Sequence, residues 1–339
     1  MAKKVILDCD PGSDDAIAIM LAMKSEDIDL LAITTVNGNR IVPKTTENAL
    51  RVVQFMKSEV PVYRGCEEPI ICNEIPSRKP GLPRVTLNDC HGDFLPLPEA
   101  KITPQKEHAV FYLVQKLMES EGDIYVAAVG PLTNLAMALR IEPRIAGKIR
   151  QLVIMGGGHT GANASPAAEF NFYADPEAAK IVMDSAIPKV ILPLDATWRA
   201  CISEEKCREL AALATPEAKV AAALVQKRID NLKVNDVSEH NFNLRHQTGT
   251  VAGAMLYRYD NHMAPIHDAL AIAYLIDERV ITELADANVD IDIAGGLCDG
   301  RMVADFHNTK KFRDPVTAKV ALNSDADRFV DMLFENLGK

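Results

Sequence analysis

Apolar and polar positions along the first two thirds of the chain follow a repeating order: a short apolar run, a polar loop, then an amphipathic stretch. The apolar runs at residues 5–7, 31–36, 124–129, 152–155 and 190–194 predict strands. Between them, residues 45–57 and 107–119 carry the spacing of helices with one apolar stripe, and a further helix-like stretch begins at Ala16. Asp175, Pro176 and Glu177 supply an N-cap, a first-turn proline and an early acid, which predict a helix to about residue 184. Thr133 and Asn134 open another, closed by Glu142 and Pro143. Strands alternating with helices in this way predict an α/β fold, with a mostly parallel open sheet flanked by helices on both faces.

The pattern changes later in the chain. Residues 203–260 read as several helices with polar residues interspersed, an added helical lobe laid onto the sheet. Residues 289–293 and 301–306 alternate around the glycine-rich stretch 295–300, which predicts a late antiparallel hairpin extending a sheet edge. No repeat, low-complexity tract or linker divides the chain, so 1–339 reads as a single domain.

Composition narrows the function. A chain that is 48% hydrophobic has apolar material for a sizeable core, and a net charge of -10 supplies no basic field for a phosphate backbone, which argues against nucleic acid. No apolar run approaches the length of about 18 residues that a membrane span needs, and the start lacks a signal peptide's apolar stretch, so the expectation is a cytoplasmic protein without membrane contact. Seven cysteines, an odd number without a C-x-x-C pair, read as reduced thiols. Cys9 lies among carboxylates that raise its pKa, which suits a small filler better than a nucleophile.

The chemistry concentrates at loops that follow strands. Asp8, Asp10, Asp14 and Asp15 crowd the end of the first strand, with Pro11 and Gly12 bending the chain between them. So much negative charge is tolerable only with a bound cation or heavy hydrogen bonding, and a hard divalent metal is the first candidate. The loops at 37–39, 130–134, 156–158 and 195–198 are likewise polar, and in a parallel sheet all of them emerge at one rim. Gly156, Gly158 and Gly161 match G-x-G-x-x-G, but residues 162–166 open no helix, so glycines that let backbone approach a ligand fit better than a dinucleotide site. His267-Asp268 precedes an apolar helix at 269–275, and by spacing alone is either an N-cap with a neighbouring histidine or a functional pair.

Taken in order, Asp8-x-Asp10-Pro11-Gly12-x-Asp14-Asp15, Gly38-Asn39, Gly130-Pro131-Leu132-Thr133-Asn134, Met155-Gly156-Gly157-Gly158, Ala168-Glu169-Phe170-Asn171 with the helix opening at Asp175, and His267-Asp268-Ala269 resemble the nucleoside hydrolase family. The resemblance runs from residue 5 to about 276 and implies a Rossmann-like sheet. It also implies hydrolysis of the N-glycosidic bond of ribonucleosides for purine and pyrimidine salvage, with one tightly bound Ca²⁺ per subunit. By that similarity Asp10, Asp15, Asp268 and the carbonyl of Val129 hold the metal, Asp10 takes the proton of a calcium-bound water, and His267 protonates the departing base. Asp14, Asn39, Met155, Asn163, Glu169 and Asn171 would bind ribose, and His91 would lie near the base, although residues 93–96 depart from the glycine-rich pattern that follows it in the family. Asp8 is better suited to supporting the loop. Trp198, the one tryptophan, stands where family members often carry histidine, and either stacks on a purine or packs the helical lobe onto the sheet. His267 leans toward a broad or pyrimidine-capable enzyme. Base preference falls within 226–262, which holds Arg228, His240, His246, Tyr257 and His262 and does not align. The family also suggests a homodimer or homotetramer.

Two other classes compete. Asp8-x-Asp10 after a first strand is similar to haloacid-dehalogenase-type magnesium-dependent phosphatases, but that pattern wants Thr or Val two residues beyond the second Asp, where this chain has Gly12 and soon another acidic pair. A non-catalytic calcium- or sugar-binding protein would need no proton donor beside the metal.

Overall fold

Val5, Ile6 and Leu7 expose no surface, because strand β1 (Lys3–Cys9) lies inside the sheet and is covered on both faces. Val5, Leu7 and Cys9 point into one apolar cluster and Ile6 into another, the period-two alternation of a strand turned into two cores. The computed structural model describes residues 2–71, 74, 92–234, 262–307 and 318–339.

The chain runs through β1, α1 (Ser13–Lys24), β2 (Ile28–Thr35), α2 (Val42–Phe55) and β3 (Val62–Arg64), then α3 (Ala109–Glu119), β4 (Ile124–Ala128) and α4 (Thr133–Ile141). It continues with β5 (Ile149–Met155), α5 (Phe170–Ala174), α6 (Pro176–Met183), β6 (Lys189–Leu192) and the four-residue helix α7 (Leu194–Thr197). The lobe comprises β7 (Cys201–Ser203), α8 (Glu204–Ala211), α9 (Pro216–Val234) and β8 (Met263–Pro265), with β7 and β8 paired antiparallel. After α10 (His267–Ile276) come β9 (Ile281–Ile291), β10 (Met302–Asp305), β11 (Ala318–Ser324) and α11 (Ala326–Leu337).

Among the described residues, nine strands form one sheet in the order β10-β9-β11-β6-β5-β4-β1-β2-β3. From β3 to β6 every neighbouring pair is parallel, and β11 joins β6 in parallel before β9 and β10 add antiparallel edges. Helices α1, α2, α9, α10 and α11 supply one core, while α3, α4 and α6 supply the other. The strand order reverses at β1, whose neighbours are β2 on one side and β4 on the other. The loops after β1 and β4 therefore part there and leave a crevice at the carboxyl rim, the place where open α/β sheets bind ligands.

The strands and helices expected in the sheet region lie where the patterning put them, and helices α8 and α9 fall in the expected lobe, whose part at 235–260 lies outside the described residues. Helix α2 begins earlier than residue 45, because Pro43 sits in its first turn where a missing N–H costs nothing, and it ends before Lys57, which takes a positive φ of 53°. The predicted hairpin is β9 with β10, and it extends the sheet through β11, an element that patterning alone did not reveal. Residues 195–198, expected as a loop, belong largely to the short helix α7.

Candidate active site

Two helix N-termini build the floor of the crevice. Ser13, Asp14 and Asp15 form the first turn of α1, and His267 and Asp268 the first turn of α10, which packs against α1. Helix N-termini carry partial positive charge and unpaired N–H groups, so this is where carboxylates can be gathered at least cost. Carboxylate oxygens of Asp14, Asp15 and Asp268 lie within 4.8 Å of one another, all three residues being buried. Asp15 accepts from the backbone N–H of Asp10 at 3.2 Å and of Gly12 at 2.9 Å, which folds the β1 loop back over the start of α1.

Asp10, expected from sequence as a metal ligand, lies beside this trio on the strand side and is not among the three carboxylates that come within 4.8 Å of one another. Its Oδ2 accepts from Asn39 N at 2.6 Å, and the Asn39 amide reaches the Asp10 carbonyl at 3.2 Å. A Cβ on Gly38 would fall 2.0 Å from Asp10 Oδ2, and one on Gly130 would fall 2.7 Å from Oδ1, so glycine is needed at both loops for this carboxylate to seat between them. Burial, reinforced by the neighbouring carboxylates, pushes the Asp10 and Asp268 carboxyls well above the usual range.

Cationic charge reaches the cluster from the lobe. Arg228 on α9 donates through Nη1 to Asp14 Oδ1 at 3.0 Å and to Ser13 Oγ at 3.1 Å, in an ion pair almost wholly buried. In the sequence Arg228 falls within the stretch 226–262 that does not align with the family. Its signal was position: it shares a helical stripe with Ala218, Ala221, Ala222, Val225 and Ile229, and a guanidinium on an apolar stripe implies a buried partner.

Beneath the cluster, Asp8 points to the opposite face of β1. It accepts from Asn134 Nδ2 at 2.8 Å and Thr34 Oγ1 at 2.5 Å, while Oδ2 is buried without a partner, and burial holds this carboxyl up to about 6. Along the wall, Asn171 donates to the carbonyls of Val129 at 2.9 Å and Met155 at 3.0 Å, tying the ends of β4 and β5 together. Glu169 caps α5 and accepts from the N–H groups of Gly157, Asn171 and Phe172; burial nonetheless pushes it up to about 7. Asn163, exposed in the loop before α5, accepts from Phe170 N at 2.9 Å.

The far side is organised by α7. Thr197 Oγ1 lies 2.8 Å from His267 Nδ1, and Asp195 receives the backbone N–H groups of His159 and Thr160, pinning the glycine loop after β5. Neither Thr197 nor Asp195 was singled out from sequence for these roles. Trp198 is 4% exposed within the α7-side core and lies so close under Gly161 that a Cβ there would meet its ring at 2.1 Å. That placement suits packing of the lobe and leaves almost none of the ring facing outward. His91, like His240, His246 and Tyr257, lies outside the described residues.

Clustered carboxylates at the switch point of an α/β sheet, with a histidine at the same helix end, define a candidate metal-dependent hydrolase site. The comparisons with known proteins identify which. The family model for inosine-uridine preferring nucleoside hydrolases matches residues 5–331. The pyrimidine-specific ribonucleoside hydrolase RihB of Escherichia coli O157:H7 is 36% identical, over 98% of this chain and 96% of its own length, and the RihB of Escherichia fergusonii matches equally well. Among solved structures, a plant nucleoside hydrolase, PpNRh1, is 28% identical with a TM-score of 0.79, covering 100% of this chain and 99% of its own. A purine-preferring ribonucleoside hydrolase from Gardnerella vaginalis, 24% identical with a TM-score of 0.82 over 99% of this chain and 98% of its own, shares the fold.

The chain belongs to the inosine-uridine preferring nucleoside hydrolase family. It is an enzyme of N-glycosidic bond hydrolysis acting on ribonucleosides, and neither the phosphatase nor the non-catalytic reading is favoured. Among the described residues, no helix is long and apolar enough to cross a membrane.

Proposed function

We propose that the protein is a calcium-dependent ribonucleoside hydrolase that accepts pyrimidine nucleosides, with Asp10 as general base and His267 as general acid. The observation that carries this reading is the cluster of three buried carboxylates, Asp14, Asp15 and Asp268, at the β1/β4 crevice, with buried Asp10 close enough to feel their charge. An all-oxygen, multiply anionic donor set fits a hard divalent cation, and the upward push on the carboxyls of Asp10 and Asp268 is the strain that such a cation relieves. Asp10, Asp15, Asp268 and the Val129 carbonyl would hold Ca²⁺. When bound, the ion supplies Lewis acidity toward water and a grip on vicinal hydroxyls.

The residues of the chain divide the remaining work. As the glycosidic bond breaks, the sugar gains oxocarbenium character, and the anionic floor favours that positive charge. Asp10 accepts the proton of the attacking water at its carboxylate, held in place by Asn39 and by the close backbone of Gly38 and Gly130. The leaving base would carry negative charge unless protonated, and His267 donates from Nε2, with Nδ1 engaged by Thr197. Asp14, Asn39, Asn163, Glu169 and Asn171, with the backbone at Met155, are assigned to ribose, since a polyhydroxylated ring requires short carboxylate and amide partners. His91 is assigned to the base. Trp198 is assigned to packing.

Pyrimidine use rests on His267 and on likeness to relatives named as pyrimidine-specific hydrolases. We place the enzyme in the cytoplasm, in nucleoside salvage, as a homodimer or homotetramer, on the family likeness. The single-domain reading is supported by a sheet that draws strands from Lys3 to Ser324. The deciding test is release of free base from uridine, cytidine, inosine, adenosine and guanosine, before and after chelator treatment. The proposal expects uridine and cytidine to be split and activity to return when Ca²⁺ is restored; turnover that survives exhaustive chelation, or is absent on both pyrimidines, contradicts it.

A further inference from the structure

We infer that Arg228 sorts the four carboxylates, reserving Asp14 for substrate hydroxyls and leaving the other three to the cation. This rests on the calcium-dependent reading above. Geometry alone would give Asp14 to the ion before Asp10: its carboxylate lies within 4.8 Å of those of Asp15 and Asp268, close enough for one ion to recruit all three, and Asp10 is not in that trio. What distinguishes Asp14 is its partner. Asp15 accepts from the backbone N–H groups of Asp10 and Gly12, and Asp10 from that of Asn39, whereas Asp14 Oδ1 takes a hydrogen bond from a buried guanidinium.

That difference has a physical consequence. A carboxylate paired with Arg⁺ has part of its charge already satisfied, and moving it onto a cation would abandon a buried guanidinium at high cost. Asp14 is thereby a poorer metal ligand than the others, yet it keeps acceptor capacity for a hydroxyl. Ser13, bonded by the same Nη1, anchors the guanidinium across the first turn of α1, so the fork cannot follow Asp14 if it swings away. Because Arg228 sits on the buried stripe of α9, the helical lobe is also tied to the charge state of the site. Arg228 is a positioning residue: it acts through Asp14.

The signature is a change of opposite sign in two measurements. In Arg228→Met, a positive charge near the cation is lost and Asp14 is released toward it, so the Ca²⁺ dissociation constant measured by calorimetry on chelator-stripped protein should fall about fivefold. In the same variant KM for uridine should rise about tenfold, with kcat within about threefold, because ribose loses a fixed partner. A merely structural role would weaken both. Arg228→Lys, which keeps the charge without the planar fork, should leave Ca²⁺ affinity within about twofold and raise KM by a smaller factor, and it decides the matter if the methionine variant does not fold. Unchanged or weaker Ca²⁺ binding in Arg228→Met, or an unchanged KM in either variant, overturns the inference. If the unaltered enzyme itself neither binds Ca²⁺ nor splits uridine, the underlying functional reading fails instead.

Discussion

Two groups of buried acids in this molecule behave as opposites. Asp175 is buried, but Thr133 Oγ1 and Ile70 N donate to one of its oxygens and Ala178 N to the other, so it closes a helix start and clamps a loop. Asp195 is treated likewise by His159 and Thr160. Asp10 and Asp268 are as buried but lie near other carboxylates, and burial, reinforced by that neighbouring negative charge, drives their carboxyls well above the usual range. Burial does not mark a functional acid. Mutual aim does, because a protein has no structural use for carboxylates that repel one another.

The comparison breaks most sharply under substitution. Asp10→Asn should lower turnover of every nucleoside by about 10³-fold while leaving metal-free thermal stability unchanged or higher, since a repulsive charge is removed. Turnover and thermal melts on the same chelated sample check this pair of outcomes. His267→Ala should cost ordinary nucleosides on the order of 10²-fold in turnover, but far less for nitrophenyl riboside, whose leaving group needs no proton. Equal losses on both substrates would remove His267 from the acid role.

The next expectation concerns pH. In the metal-free protein the Asp10 and Asp268 carboxyls are held above their unfolded values, so the folded state binds more protons than the unfolded one. Their contribution is fully present below about pH 4 and is lost as pH rises toward and through the raised values. Urea midpoints in chelator should therefore decline from acidic toward alkaline pH, and added Ca²⁺ should flatten that decline by favouring the ionised cluster. The smallest effect belongs to the structural acids. Asp175→Ala should cost about 1–3 kcal/mol of stability, with kcat per folded molecule unchanged, because it strands donors without touching the site.

Much of this division was legible in sequence. The four early aspartates and their rim position follow from strand, turn and helix-start signals, as does the capping role of Asp175, whereas the pairing with His267-Asp268 came from the family resemblance and not from local signals. The parallel sheet was readable because its strands are short, apolar and evenly interrupted. Strand β11 was not, since Ala318–Ser324 has little β-branched content and takes its place from neighbours β6 and β9. Helix α11 also escaped, although its apolar face closes the α1 side of the core. Arg228 and Thr197 stayed hidden for another reason: each acts through a residue distant in sequence, Asp14 and His267, and only the folded chain brings them into contact.

The central claim is that Asp10, Asp15 and Asp268 share one divalent cation. Crystals grown with Ca²⁺ and ribose, measured for anomalous scattering, test it directly. The account predicts one calcium ion with oxygens of all three carboxylates at about 2.3–2.6 Å. An ion held elsewhere, or no ion at saturating Ca²⁺, would contradict it.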